Sequence, residues 1–144
     1  MVGIIVTGHG HFGTGIESSV HLIAGKPEKF VAVDFPEGDT PDNLAKQYNA
    51  AIDSFNDCEG VIIFSDLAGG SPFKTAVEVK MQRKEKIEVL AGTNLGMILE
   101  IATARTFMDD MEAITNMAVS TGKDQVIRFV LAERNDEPSE GDGI

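Results

Sequence analysis

The sequence has few of the residues that mark several protein classes. It has one cysteine, Cys58, so it cannot carry an intrachain disulfide framework. No apolar run approaches the ~20 residues that a membrane-spanning helix needs, and we expect no direct insertion into a membrane. The first residues, MVGIIVTG, show neither a basic leader nor a small-residue cleavage site, so we expect a cytoplasmic protein.

Basic residues are also scarce. The 12 Lys and Arg residues stand against 23 Asp and Glu residues, which gives a formal net charge of −11. Such a surface repels nucleic-acid phosphates and acidic membranes, and it favours basic protein partners. Nucleic-acid binding is therefore excluded as an expected function.

Four short apolar runs rich in Val, Ile and Phe predict buried parallel strands, because each is too continuous for a strand with one wet face. Between them, apolar residues at helical spacing predict crossover helices on both faces of the sheet. At 144 residues the chain has the size of one α/β domain with a doubly wound sheet, and we expect strand order 2-1-3-4. The predicted strands are 3–6, 30–35, 61–64 and 87–90.

Helix boundaries are marked by caps and stops. A capping box, Thr14-x-x-Glu17, predicts that the first helix begins after Gly13, and Gly25 is expected to end it. Thr40-Pro41 and Ser71-Pro72 each place a cap before an N1 proline. The last three helices are expected at about 72–83, 95–105 and 111–121, the last one stopped by Gly122.

The C-terminal region predicts two further features. QVIRFVLA, at 125–132, follows the last helix too closely for another parallel crossover, so it predicts an antiparallel edge strand that pairs within or between chains. Residues 133–144 are acidic and poor in apolar side chains, which is typical of a disordered tail. We therefore expect one domain over 1–132.

Gly8, Gly10 and Gly13 spell the G-x-G-x-x-G pattern of a dinucleotide cradle, and Asp34 lies where a ribose-binding acid is expected. Two observations oppose that interpretation. The capping box would start the helix only after Gly13, whereas the cradle needs that glycine inside the first turn. The fingerprint also leaves the segment SDLAGGSPF, at 65–73, without a role.

In a doubly wound sheet, ligands bind beyond the carboxyl ends of the strands where strand order reverses. The loop after strand one carries His9, and the loop after strand three carries Asp66, Gly70 and Ser71. An imidazole oriented by a carboxylate can act as a phosphoryl acceptor, and helix-opening amides can hold the phosphoryl oxygens. His11 has no expected carboxylate and is predicted to make loop or partner contacts. A metal-dependent hydrolase built on His9 and Asp66 stays open as an alternative.

Four segments together resemble one protein family over residues 1–132. They are VTGHG, VDFPEGD, FSDLAGGSPF and LAGTNLGMILE, and the family is the IIA component of the mannose-family sugar phosphotransferase system. The resemblance implies that His9 takes a phosphoryl group from the phosphocarrier HPr and passes it to the EIIB component, which serves the membrane components EIIC and EIID.

The resemblance also assigns roles to the neighbouring residues. Asp66 would hydrogen-bond the active imidazole, and Ser71 would belong to the phosphate-receiving loop, with no metal and no cofactor. Family members are homodimers that exchange an antiparallel edge strand, which is the role implied for 125–132.

Overall fold

The computed structural model describes residues 1–133, which form four strands and five helices. The expected tail lies outside the described residues from position 134 onward. The strands are β1 (Val2–His9), β2 (Phe30–Phe35), β3 (Gly60–Ser65) and β4 (Ile87–Leu90). The helices are α1 (Phe12–Ala24), α2 (Pro41–Ser54), α3 (Gly70–Gln82), α4 (Leu95–Ala104) and α5 (Met111–Asp124).

The sheet is parallel throughout, in the order β2-β1-β3-β4. The predicted α/β class, the parallel strands and their order are confirmed. Strand order reverses beside β1, so the crease where ligands bind lies between the carboxyl ends of β1 and β3. The longest strand, β1, is central, and all its residues from Val2 to Thr7 are buried.

Two apolar layers cover the sheet because successive strand side chains point to opposite faces. One layer packs α1, α4 and α5 against residues such as Ile4, Val6 and Phe64. The other packs α2 and α3 against residues such as Ile5 and Ile63. The helices therefore lie on both faces, as the periodicity predicts.

Three predicted helix boundaries are confirmed. The Thr40 hydroxyl accepts a hydrogen bond from Asn43 N–H, and Pro41 is the first residue of α2. The Asn94 side chain accepts from Met97 N–H at the start of α4. Gly25 ends α1 with a positive φ of 76°, which a glycine adopts without strain.

The predicted start of α1 is wrong. The helix begins at Phe12, and Thr14 is not its cap, because its N–H and hydroxyl both donate to the Asp34 carboxylate. Gly13 therefore lies inside the first turn, where a Cβ would sit 2.8 Å from the carbonyl oxygens of Val6 and Val33. Asp34 on β2 therefore binds the Thr14 side chain, which the sequence pattern had predicted to cap the helix.

Two other boundaries also differ from the prediction. The third helix begins at Gly70 rather than behind a Ser71 cap, because Gly69 and Gly70 turn the chain with φ of 86° and 71°. The last helix passes through Gly122 and ends at Asp124. Gly122 is buried where a Cβ would meet the Met97 sulfur at 2.9 Å, so the glycine serves helix packing rather than termination.

Residues 126–133 form neither a helix nor a strand within one chain. The apolar side chains among them are between 72% and 84% exposed: Val126, Ile127, Phe129, Val130 and Leu131. The antiparallel edge strand therefore stays a prediction. Along residues 1–133, no helix has both the length and the apolar content to cross a membrane.

Gly13 and Gly15 allow a matched test of how α1 packs on the sheet. We expect Gly13→Ala to lower the free energy of unfolding by about 2 kcal/mol, because the new methyl group meets two strand carbonyls. Gly15→Ala places its methyl in open space, and it should raise stability by about 0.5–1 kcal/mol through helix propensity. Urea unfolding of both variants measures the difference, and equal stabilities would contradict this packing.

Candidate active site

Strand register brings the two predicted site loops together. Thr7 of β1 pairs with Ser65 of β3, so the residues that follow them emerge side by side at the carboxyl edge. His9 ends β1, and Asp66 directly follows β3. The crease between these strands therefore holds one histidine and one carboxylate from segments 57 positions apart.

The His9 ring and the Asp66 carboxylate form a direct hydrogen bond. Nδ1 of His9 lies 2.8 Å from Oδ2 of Asp66, and the same oxygen accepts the His9 backbone N–H at 2.9 Å. The other oxygen, Oδ1, accepts the Leu67 N–H at 2.8 Å. The His9 side chain is 46% exposed and that of Asp66 only 12%, so the ring faces solvent and the acid lies behind it.

Opposing effects set the pKa of Asp66. Burial by itself raises it, but the hydrogen bonds from the His9 backbone, the His9 ring and the Leu67 backbone outweigh burial and leave the pKa below its usual value. The carboxylate is therefore ionised at neutral pH and acts as an acceptor. In the neutral imidazole, Nδ1 then carries the proton that is donated to Asp66, and Nε2 bears the free lone pair.

The free side of the ring faces the start of α3. A Cβ built on Gly70 would lie 2.9 Å from Cε1 and 3.1 Å from Nε2 of His9, so only glycine permits this approach. Ser71 follows in the first turn of α3. Helix-opening N–H groups carry partial positive charge, and anions bind there. The structure thus brings His9, Asp66 and Gly70 together, with Ser71 next along the chain.

A glycine is required at position 8 because a side chain there would collide with its neighbours, not because the backbone turns there. A Cβ there would lie 2.8 Å from Cγ of Asp66 and 2.7 Å from the Phe12 ring. The turn itself falls at Gly10, which has a φ of 59° and exchanges backbone hydrogen bonds with Phe35. One glycine therefore admits the carboxylate, and the other lets the chain leave the sheet.

A second histidine and carboxylate pair lies on the other side of β1, and the sequence reasoning missed it. Nδ1 of His11 lies 3.1 Å from Oδ2 of Asp34, although His11 was expected to have no carboxylate partner. Asp34 also accepts both bonds from Thr14, and these bonds together lower its pKa against the raising effect of burial. The His11 side chain is 81% exposed. Strand register could have revealed this pair, because Asp34 on β2 pairs with Gly8 on β1, close to the loop that carries His11.

These contacts change the reason for setting a dinucleotide cradle aside. Gly13 does lie in the first turn of α1, so the helix start no longer opposes that interpretation. The site differs from a dinucleotide cradle at Asp34, because its two carboxylate oxygens accept hydrogen bonds from Thr14 and His11 and are not free to bind a ribose. Among residues 1–133, no three His, Cys, Asp or Glu side chains are grouped as a metal site would need.

Comparison with known proteins decides the family. The family model EIIA-man, described as PTS system fructose IIA component, matches residues 3–119. The chain belongs to this EIIA family. The resemblance seen in the four motifs is thereby confirmed.

Similar EIIA chains share both sequence and fold with this one. The mannose-specific EIIAB component of Escherichia coli K12 is 30% identical over 125 residues, which is 87% of this chain and 38% of that protein. The fructose-specific EIIA component of Bacillus subtilis is 26% identical over 81% of this chain and 80% of its own length. A crystal structure of EIIA from Streptococcus agalactiae superposes with a TM-score of 0.82 at 28% identity, covering 89% and 97% of the two chains.

The length of the relatives differs. The chain spans only 38% of the E. coli EIIAB component, but most of the B. subtilis EIIA component. Members of the family therefore occur in proteins of different length.

The lowered pKa of Asp66 predicts a pH-dependent contribution to stability. A carboxylate with a depressed folded pKa stabilises the protein above the unfolded value, near 3.9, and loses that contribution as pH falls toward the folded value. We expect Asp66→Asn to cost about 1 kcal/mol at pH 7, and the difference from wild type to shrink below about pH 4.

Urea unfolding between pH 2.5 and 7 measures this difference, with Asp42→Asn at an exposed position of α2 as the control. The control should show a smaller change. A difference between wild type and Asp66→Asn that stays constant down to the lowest pH would contradict an ionised, hydrogen-bonded Asp66.

Proposed function

We propose that this chain is an EIIA phosphocarrier whose His9 accepts a phosphoryl group from phospho-HPr and passes it to an EIIB component. The observation that carries the proposal is the 2.8 Å bond between Nδ1 of His9 and Asp66, which leaves Nε2 as the free nitrogen beside Gly70. A partly exposed imidazole with a fixed tautomer is a competent nucleophile. Family membership supports the same role.

The transfer step exchanges one nitrogen–phosphorus bond for another. The Nε2 lone pair of His9 forms a bond to phosphorus while the bond between phosphorus and the donor imidazole breaks. The donor ring keeps that electron pair and takes a proton from solvent. Positive charge grows on the His9 ring, and the ionised Asp66 carboxylate stabilises it through Nδ1–H without receiving the proton.

The phosphoryl oxygens carry the negative charge of the migrating group. In the proposed complex they meet the N–H groups of Gly70 and Ser71 at the positive end of the α3 dipole, with the Ser71 hydroxyl as a further donor. Gly70 suits this role because its φ of 71° and missing side chain let the helix start approach the ring. The step needs no metal ion and no cofactor.

The partners follow from the same site and from the charge of the chain. HPr and EIIB must reach the same nitrogen, so they dock in turn over the carboxyl edge of the sheet. The net charge of −11 favours basic docking surfaces on both. EIIB then serves the membrane components EIIC and EIID, and we expect this chain to act in the cytoplasm.

We also propose that the chain is a homodimer in which residues 125–132 form the antiparallel edge strand. Their apolar side chains are exposed in the single chain, and β4 has β3 as its strand neighbour on one side, at the edge of the sheet. Pairing with a second copy would bury those side chains and cover that edge. The domain would then be 1–132, followed by a tail at 133–144.

Phosphorylation of His9 is the direct test of the proposed function. Incubated with phospho-HPr, the wild-type chain should incorporate one phosphate, and His9→Ala should slow incorporation by roughly a thousandfold or more. The phosphate should be lost in acid and kept in alkali, because it is bonded to nitrogen. Asp66→Asn should slow transfer by roughly a hundredfold, because charge on the ring is no longer stabilised.

The other loop histidine provides the matched control. His11→Ala should keep the incorporation of one phosphate per chain, since His11 lies on the β2 side of β1 and away from Asp66. An acid-stable phosphate, or wild-type incorporation by His9→Ala, would refute the proposed carrier role.

Chain length tests the dimer. Light scattering should give the mass of two chains for the full sequence, and a chain ending at Asp124 should give the mass of one. A chain ending at Glu133 is the control and should remain a dimer. Dimers that persist in the shortest chain would show that another surface joins the subunits.

A further inference from the structure

The one tyrosine of the chain lies in the middle of α2, fully buried against the sheet. Its hydroxyl lies 2.8 Å from the Thr7 hydroxyl and donates to the Pro72 carbonyl oxygen at 3.1 Å. Since Tyr48 has one proton and uses it on Pro72, Thr7 is the donor in the first bond. The phenol therefore links three elements, β1, α2 and α3, through two hydrogen bonds.

Both anchors of this link lead directly to the candidate active site. Thr7 is fully buried and lies two positions before His9 on β1. Pro72 is the third residue of α3, two positions after Gly70. One hydroxyl thus spans from the strand that carries the imidazole to the first helical turn that faces it.

The separation between these two elements has little freedom to vary. A Cβ on Gly70 would already come within 2.9 Å of the His9 ring, so a shift of α3 toward β1 would close the space for a phosphoryl group. A shift away would withdraw the Gly70 and Ser71 amides. Donors must be held at hydrogen-bond distance from the oxygens that develop charge.

Neither packing nor helix formation accounts for the hydroxyl. A phenylalanine ring would fill the same space in the apolar layer between α2 and the sheet. The Pro72 carbonyl can accept the N–H four residues further along α3, so the phenol uses its second lone pair. Burial of a hydroxyl carries a desolvation cost, and both hydrogen bonds offset it.

We propose that Tyr48 is a positioning residue for phosphoryl transfer, which sets the distance between Nε2 of His9 and the Gly70–Ser71 amides by joining Thr7 to Pro72. This inference rests on the proposed function, because it assumes that His9 carries the phosphoryl group. Tyr48 acts through the two elements that it joins and does not touch the reacting atoms. A loss of the link should lower the rate of transfer rather than the affinity for the donor.

Three variants with matched shapes test the link. Tyr48→Phe removes both hydrogen bonds, Thr7→Val removes one while keeping the side-chain shape, and Thr7→Ser keeps the hydroxyl. We expect kcat for transfer from phospho-HPr to fall by roughly 10- to 100-fold in the first two, with KM for phospho-HPr unchanged within about twofold. Thr7→Ser should keep kcat within about twofold of wild type. The double variant Thr7→Val/Tyr48→Phe should be no slower than the worse single variant, because both break one link.

A stability control separates positioning from structure. Ile114→Val lowers stability in the layer on the opposite face of the sheet, and it should leave kcat unchanged. Urea unfolding confirms that each chain is folded at the assay temperature, and Thr7→Val with Thr7→Ser tests the link even if Tyr48→Phe does not fold. Wild-type kcat in Thr7→Val or in folded Tyr48→Phe would overturn the inference.

Phosphoramidate is a small phosphoryl donor that needs no docking surface. It distinguishes failure of the positioning role of Tyr48 from failure of the proposed carrier function. Its nitrogen–phosphorus bond breaks, ammonia leaves, and phosphorus joins His9. Wild-type labelling at His9 with equal rates in Tyr48→Phe and Thr7→Val would overturn the positioning role and leave the carrier function standing. A wild-type chain that labels at His9 with neither phosphoramidate nor phospho-HPr would overturn both. Slower labelling of both variants with phosphoramidate supports the positioning role independently of HPr.

Discussion

The hydrogen bond between Nδ1 of His9 and the Asp66 carboxylate is the interaction on which the candidate site depends. It fixes the ring tautomer, it aims Nε2 at the start of α3, and it places a negative charge behind the ring. The bond exists because β1 and β3 are adjacent and in a register that pairs Thr7 with Ser65. Gly8 completes the requirement, since any side chain there would occupy the position of the carboxylate.

The two apolar layers provide the rigidity that this bond needs. Strand β1 is buried from both faces, so the position where His9 leaves the sheet is set by packing rather than by the loop itself. The polar groups inside the α2 layer, Thr7 and Tyr48, satisfy each other and join that strand to α3. The His9 ring is partly exposed, but every element that positions it is anchored in the core.

The carboxyl edge of the sheet carries both the residues covered by the family match and contacts that the family match does not describe. The EIIA match covers residues 3–119 and so includes His9, Asp66 and the start of α3. On the other side of β1, Asp34 lies where a dinucleotide fold has its ribose-binding acid. Its carboxylate instead bonds to Thr14 and His11. The glycine spacing by itself therefore does not indicate a dinucleotide cradle, because in this chain the nearby acid bonds to His11 and Thr14.

The sequence by itself determined the α/β class, the four parallel strands, most helix boundaries and the motif residues His9 and Asp66, because these follow from periodicity, local caps and short motifs. The predicted starts of α1 and α3 and the predicted end of α5 were wrong. At these three boundaries, Thr14, Gly70 and Gly122 contact residues far away in the chain. Only the tertiary structure decided that Asp34 partners His11 and that Tyr48 joins Thr7 to Pro72. Such contacts depend on strand register and helix packing, which bring together side chains that no local pattern relates.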